Sequence, residues 1–238
     1  MTAEPLTDPV LTLAASIEAR RGVPGPDPSL ALASPDDDPL VHQLVYAMLL
    51  WESSHEAAAR CLEAVRAEVV DYNELLVCSA QELCEMLPRD CPLRPERATR
   101  LLGSLNAIFI REHALTLAQL NALAKREARQ YLDGLDGIPQ FAAARVLLVG
   151  LGGHAFPADT RIGRVLSQAG LLSEDEAAAA DLGPRLERAV RAADAARVYA
   201  LLEAEAADLP GPRKSSARRA GRARTPAPAD EPLAGQPG

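Results

Sequence analysis

The sequence predicts an all-α fold, and three observations lead there. Aromatic residues are only 3% of the chain, so its interior must be built from Leu, Ala and Val, which favours packed helices over sheets. Gly and Pro are absent between Glu112 and Gly134. Apolar residues recur at helical spacing, as in Leu40, Val41, Leu44, Val45, Met48 and Leu49, the pattern of a helix with a buried face. A chain of 238 residues is long enough for one compact unit of two lobes.

The elements follow in order. Residues 1–36 read as an arm, with one short helix over 10–20 that Gly22-Val23-Pro24-Gly25-Pro26-Asp27-Pro28 cannot continue. Asp36, Asp37 and Asp38 then suit the N-terminus of a helix over 40–50. Further helices are predicted over 56–69, over 80–87 behind the capping-box pattern Ser79-Ala80-Gln81-Glu82, over 94–111 and over 117–123. From Pro210 the composition turns to Pro, Arg, Ala and Gly without apolar periodicity, so residues 210–238 are expected to be a disordered basic tail.

Residues 125–172 carry the most information. A helix over 126–133 runs into Gly134-Leu135-Asp136-Gly137-Ile138-Pro139, and an Ala/Leu/Val helix follows over 140–149. Leu132, Leu135, Gly137, Ile138, Ala143 and Leu147 put apolar residues on the facing sides of both helices, with Ala143 small enough for close approach. This is a helix-hairpin-helix over 126–149. Gly150-Leu151-Gly152-Gly153 and Phe156-Pro157-Ala158-Asp159 then feed a helix ending at Gly170, with Asp159 at its start.

A helix-hairpin-helix, a Gly-rich loop, a Pro and an Asp opening the next helix resemble the signature of the helix-hairpin-helix DNA glycosylases, the endonuclease III superfamily. Phe156-Pro157-x-Asp159 is similar to the adenine-mismatch branch, and the resemblance spans residues 38–172. It implies an all-α, two-lobed glycosylase fold, with a helical barrel lobe over 37–152 and a C-terminal helical lobe over 153–209 that packs with the arm. It further implies double-stranded DNA as partner, a base rotated out of the duplex, and Asp159 beside the sugar as the catalytic carboxylate. Gly137, Ile138, Gln140, Thr160 and Arg161 would meet the DNA backbone, and Phe141, Glu52, Ser53 and His154 would line the pocket.

The departures from the family are equally specific. Phe141 occupies the place of the lysine that forms an imine in bifunctional members, so β-elimination by that route is excluded. Pro139 removes one hairpin amide, and Asp136 sets a carboxylate beside the phosphate site. Trp51-Glu52-Ser53-Ser54-His55 replaces a glutamine-containing stretch. No cysteine follows Cys91, so the ligands of the family's iron–sulfur cluster are absent and no cofactor or metal is expected.

Each residue also has a plainer reading. Asp159 is a good helix cap, and the hairpin can serve as a packing device without nucleic acid. His154, Glu52 and His55 can be ordinary loop or helix-junction residues, and Arg161 and Arg164 can pair with acids rather than phosphate. A non-catalytic DNA-binding or interaction protein is therefore the alternative to a monofunctional glycosylase. The net charge of −8 hides a basic tail, in which six cations from Arg213 to Arg224 are offset only by Asp230 and Glu231, and an acidic remainder of −12, which works against a broad phosphate-binding face.

Cys61, Cys78, Cys84 and Cys91 fit no common zinc or disulfide spacing and are expected to be small core residues. With no secretory leader read ahead of them, the expected setting is a reducing cytoplasm, with nucleoid association and a monomeric state. The apolar runs are too short for a membrane span.

Overall fold

Residues 39–50 form the helix around which the rest is arranged. In the computed structural model, which describes residues 6–209, every residue from Leu40 to Leu50 of this helix is buried. The tail expectation for 210–238 lies outside the described residues. In chain order the helices are α1 (Thr7–Arg21), α2 (Pro28–Ala31), α3 (Pro39–Leu50), α4 (His55–Glu68), α5 (Ala80–Met86), α6 (Arg94–Glu112), α7 (Lys125–Asp133), α8 (Gln140–Arg145), α9 (Thr160–Gln168), α10 (Glu174–Ala177), α11 (Leu182–Ala189) and α12 (Ala192–Ala207). No strand occurs among the described residues.

Two boundaries differ from the sequence expectation for clear reasons. The segment expected as a helix over 117–123 is a 3₁₀ turn, Ala118–Ala122, too short to bury a helical face. The helix over 140–149 begins as α8 but widens into a π-turn, Val146–Gly150, where Gly150 closes the segment against α3. A Cβ on Gly150 would lie 2.8 Å from the Leu40 side chain.

Asp38 anchors α3 at both sides of its first turn. Its Oδ1 accepts from Leu40 N at 2.8 Å and Val41 N at 3.1 Å, while Oδ2 accepts from Thr116 Oγ1 at 2.6 Å and Leu117 N at 3.1 Å. Such a cap contributes about 1 kcal/mol and ties α3 to the turn after α6. At the other end Arg97, fully buried on α6, donates to the Met48 carbonyl, to Trp51 O at 2.6 Å and to Pro92 O at 3.1 Å. The first two are carbonyls that the end of α3 leaves without an intrahelical partner.

The first lobe packs α4, α6 and α8 around α3, with α5 on α6 and α7 on α8. The second gathers α9, α10 and α12, with α1 laid along α12. Arg21 Nε donates to Glu205 at 2.8 Å and Arg197 Nε to Glu18 at 2.9 Å, across the α1–α12 seam.

The hairpin turn is stitched to α6. Ser104 Oγ donates to Asp136 O at 3.0 Å and Arg100 Nη1 to Gly137 O at 3.3 Å. Gly137 has φ +79°, and a Cβ there would sit 2.9 Å from Arg100 O. Gly152 has a similar φ of +62° with open space around it. Gly152→Ala should therefore cost only the left-handed penalty, about 1 kcal/mol. Gly137→Ala should cost about 3 kcal/mol, because α6 must also move. Urea unfolding measures both, and equal losses would refute the close approach.

Candidate active site

Asp159 ends the loop after the π-turn in extended conformation and caps α9. Its Oδ1 accepts from Arg161 N at 3.0 Å and Ile162 N at 3.2 Å, the preferred task of an Asp before an apolar helix. Its Oδ2 reaches the other lobe and accepts from Glu52 N at 2.9 Å. Glu52 returns the contact, since its Oε1 accepts from Thr160 N at 3.0 Å and its Oε2 from the Thr160 hydroxyl. Each carboxylate thus satisfies main-chain donors of the opposite corner. Glu52 holds a left-handed φ of 54° at the α3–α4 corner, a strain of about 1–2 kcal/mol that these bonds offset.

Beside this clasp lies an open cleft of ≈ 380 Å³. The structure brings Glu52, Ile138, Gln140, Phe141, Asp159 and Thr160 together on its wall. Gly137 precedes them in the hairpin turn. Phe141 is only 2% exposed, so it closes the pocket floor as part of the core. Sequence reading named Trp51 only as part of the stretch 51–55 and passed over Arg100; both also line the cleft. The Arg100 guanidinium sits 5.4 Å from the Trp51 ring centroid, a cation–π contact that holds both at the mouth. Residues 49 apart in sequence gave no local signal, but the chain's single Trp at a helix end is the place to look for one.

Three expected site residues lie elsewhere. Arg161 turns inward and pairs with Glu203 Oε1 at 2.7 Å while donating to the Ser53 carbonyl, so its charge is spent on a buried acid and not offered to phosphate. Ser53 is 3% exposed and sits behind the clasp, outside the cleft wall. His154 is exposed on the loop, its Nε2 bonded to Val190 O at 2.9 Å, and does not line the cleft. Of the two arginines after Asp159, Arg164 is half-buried and also interacts within the chain. Asp136 stands exposed beside Gly137.

The electrostatics of Asp159 follow from its surroundings. Burial, with the Glu203 and Glu52 carboxylates nearby, pushes its carboxyl up to about 7, while Arg161 and the Ile162 amide restrain the rise. A carboxylate offers about four lone-pair positions, and three are taken by the amides above. One position on Oδ2 is left for a proton or a substrate. His55 shares the same interior: its Nδ1 lies 2.9 Å from the Tyr46 hydroxyl, and burial lowers its pKa.

The Cys61 and Cys91 thiols contact each other, and the four cysteines do not gather into one cluster. Cys61 and Cys91 are buried and Cys78 and Cys84 half-buried, and among the described residues no group of three or more His, Cys, Asp or Glu side chains is arranged to hold a metal. No described helix is long and apolar enough to cross a membrane.

This architecture, with a hairpin joining α7 to α8 and an aspartate opening α9 at the cleft, has the fold of the helix-hairpin-helix DNA glycosylases, endonuclease III-like. No family model and no curated protein matches the sequence, but solved structures do. A trapped endonuclease III–DNA covalent intermediate superimposes with a TM-score of 0.60 at 14% identity, over 83% of this chain and 84% of that one. A thermostable thymine-DNA glycosylase gives 0.55 at 15%, over 90% and 92%. The 3-methyladenine DNA-glycosylase from Archaeoglobus fulgidus gives 0.53 at 19%, over 86% and 69%. Identity this low defines a fold and leaves the chemistry to the residues of the cleft.

A raised folded-state pKa makes Asp159 a pH-dependent cost. Below the carboxyl's unfolded value, near 4, it is protonated in both states. Between there and about 7 the folded state holds a proton that the unfolded state releases, so this group's contribution to stability is lost as pH rises. Asp159→Asn cannot titrate. The stability of the native chain relative to Asp159→Asn, from urea unfolding at successive pH values, should fall steadily from pH 4 to pH 7. A flat difference would mean an ordinary carboxylate.

Proposed function

We propose that the protein is a base-excision-repair DNA N-glycosylase that binds double-stranded DNA, takes a damaged or mismatched base out of the stack and hydrolyses its glycosidic bond with water. The observation that carries this reading is the Asp159 carboxylate on the wall of a cleft beside the hairpin, with one lone-pair position left on Oδ2. Breaking the C1′–N bond leaves positive charge on the sugar ring, which an adjacent carboxylate stabilises. As water adds at C1′ it loses a proton, and a carboxylate whose pKa lies near 7 is suited to accept it. The base departs with the bonding pair and takes up a proton from solvent.

Without an amine at position 141 the reaction makes no imine, so strand cleavage by β-elimination is not part of it. Gly137, Ile138 and Gln140 would present the hairpin backbone to one phosphate. Pro139 supplies no amide and Asp136 repels, so the grip relies on fewer donors, and affinity should depend steeply on salt. No iron–sulfur cluster is required, and the expected form is a monomer in the cytoplasm, associated with the nucleoid.

A second reading rests on the same residue. Three backbone donors already hold the Asp159 carboxylate, which is what a purely structural cap needs, and a non-catalytic DNA-binding relative would keep it. Base release separates the two. On duplexes carrying uracil, a mismatch or an alkylated base, the native protein should release base with a rate that rises with pH through about 7. Asp159→Asn, with its fold checked by urea unfolding, should lose at least about 100-fold, and borohydride should trap no protein–DNA adduct. No release from any duplex, with binding unchanged in the variant, supports the non-catalytic reading.

A further inference from the structure

A second cavity, ≈ 580 Å³ in volume, lies away from the cleft, between the Pro-rich strap before α2 and one face of α12. Ala196, Ala200 and Ala204 fall on its α12 wall at four-residue spacing, and Pro24 and Pro26 of the strap and Pro28 at the start of α2 face it. Small side chains on one side make room, and prolines with fixed φ on the other keep the strap from collapsing into that room. Leu148 and Val149 of the π-turn add further apolar surface. The volume falls in the range of small-ligand sites.

The polar groups of this cavity are Asp27, His55, Arg197, Tyr199 and Glu203, two of them carboxylates. Asp27 sits at its edge, bound to Arg145 at 2.6 Å and 2.7 Å. Glu203, 2% exposed, lines the cavity as well, and while its Oε1 is held by Arg161, its Oε2 has no hydrogen-bond partner. Neither the Tyr199 hydroxyl nor Nη2 of the Arg161 guanidinium paired with Glu203 has a hydrogen-bond partner. Arg197, the cation at the rim, is engaged by Glu18 on α1. A carboxylate oxygen left bare in an apolar setting carries a desolvation penalty that a charged N–H donor removes better than any neutral one.

From this geometry we infer that the strap–α12 cavity is a binding site for a small apolar molecule carrying an ammonium group, whose ring lies between the prolines and the α12 alanines and whose N–H groups meet Glu203 and Asp27. This site is separate from the cleft and does not depend on the glycosylase reading. It does touch the clasp, because Glu203 holds Arg161, and Arg161 N is one of the donors to Asp159. An occupant would therefore be felt at Asp159.

Tryptamine and tryptophol, which share an indole ring and differ in an ammonium against a hydroxyl, serve as probes with the full chain in calorimetry at pH 7. Tryptamine should bind at least tenfold tighter than tryptophol. Ala200→Leu, at a half-buried position on the cavity wall, should abolish binding of both without loss of the folded state in urea unfolding. Glu203→Gln should bring tryptamine down to the affinity of tryptophol. Equal affinity of the two probes, no binding of either, or binding unchanged in Ala200→Leu would overturn the assignment.

Discussion

The reciprocal contact between Glu52 and the start of α9 is the constraint on which the site depends. Two carboxylates, 107 residues apart, each take main-chain donors from the other's corner. Removing either leaves orphaned amides at a helix N-terminus and at a left-handed residue, each worth roughly 1–3 kcal/mol when buried. The same bonds fix how the α3–α4 corner meets the second lobe, and so fix the width of the cleft. A residue that joins the lobes and also stands on the cleft wall cannot drift from the geometry that its chemistry requires.

Behind the clasp runs a chain of buried ions that explains how so acidic a body keeps two carboxylates together. Asp27, Arg145, Glu203, Arg161 and Asp159 alternate in sign through the interior. Arg145 is fully buried, and besides Asp27 it meets Gln43 at 2.9 Å and lies 5.1 Å from the Tyr46 ring centroid. Pairs of this kind rarely add net stability over apolar residues of the same size, but removing one member costs about 3–5 kcal/mol. Their value here is positional: Arg161 ties Ser53, Glu203 and the Asp159 turn into one unit.

Much of the fold was legible because its signals are local. The buried face of α3, the capping box Ser79–Glu82 and the Gly137 turn follow from spacing and from backbone sterics, and each occurs where the sequence puts it. The inward turn of Arg161 was not legible, because its partner Glu203 lies 42 residues away on a helix that carries no motif. A hint existed in composition. Arg145 in Phe141–Val149 and Glu203 in Tyr199–Leu202-Glu203 are single charges inside apolar runs, and such charges demand buried partners. The choice between phosphate and acid for Arg161 is decided by that argument, once α9 is known to pack on α12, where Glu203 sits.

The central claim is that Asp159 is positioned to meet positive charge at a sugar ring, beyond its work as a cap. It is tested most directly by binding to a duplex that carries a pyrrolidine ring, protonated at neutral pH, in place of one deoxyribose, compared with the same duplex carrying an uncharged tetrahydrofuran. At equal salt the cationic ring should bind at least about tenfold more tightly, a difference of about 1.4 kcal/mol, and Asp159→Asn should erase the preference. Equal binding of the two duplexes by the native protein would show that the carboxylate serves the helix alone.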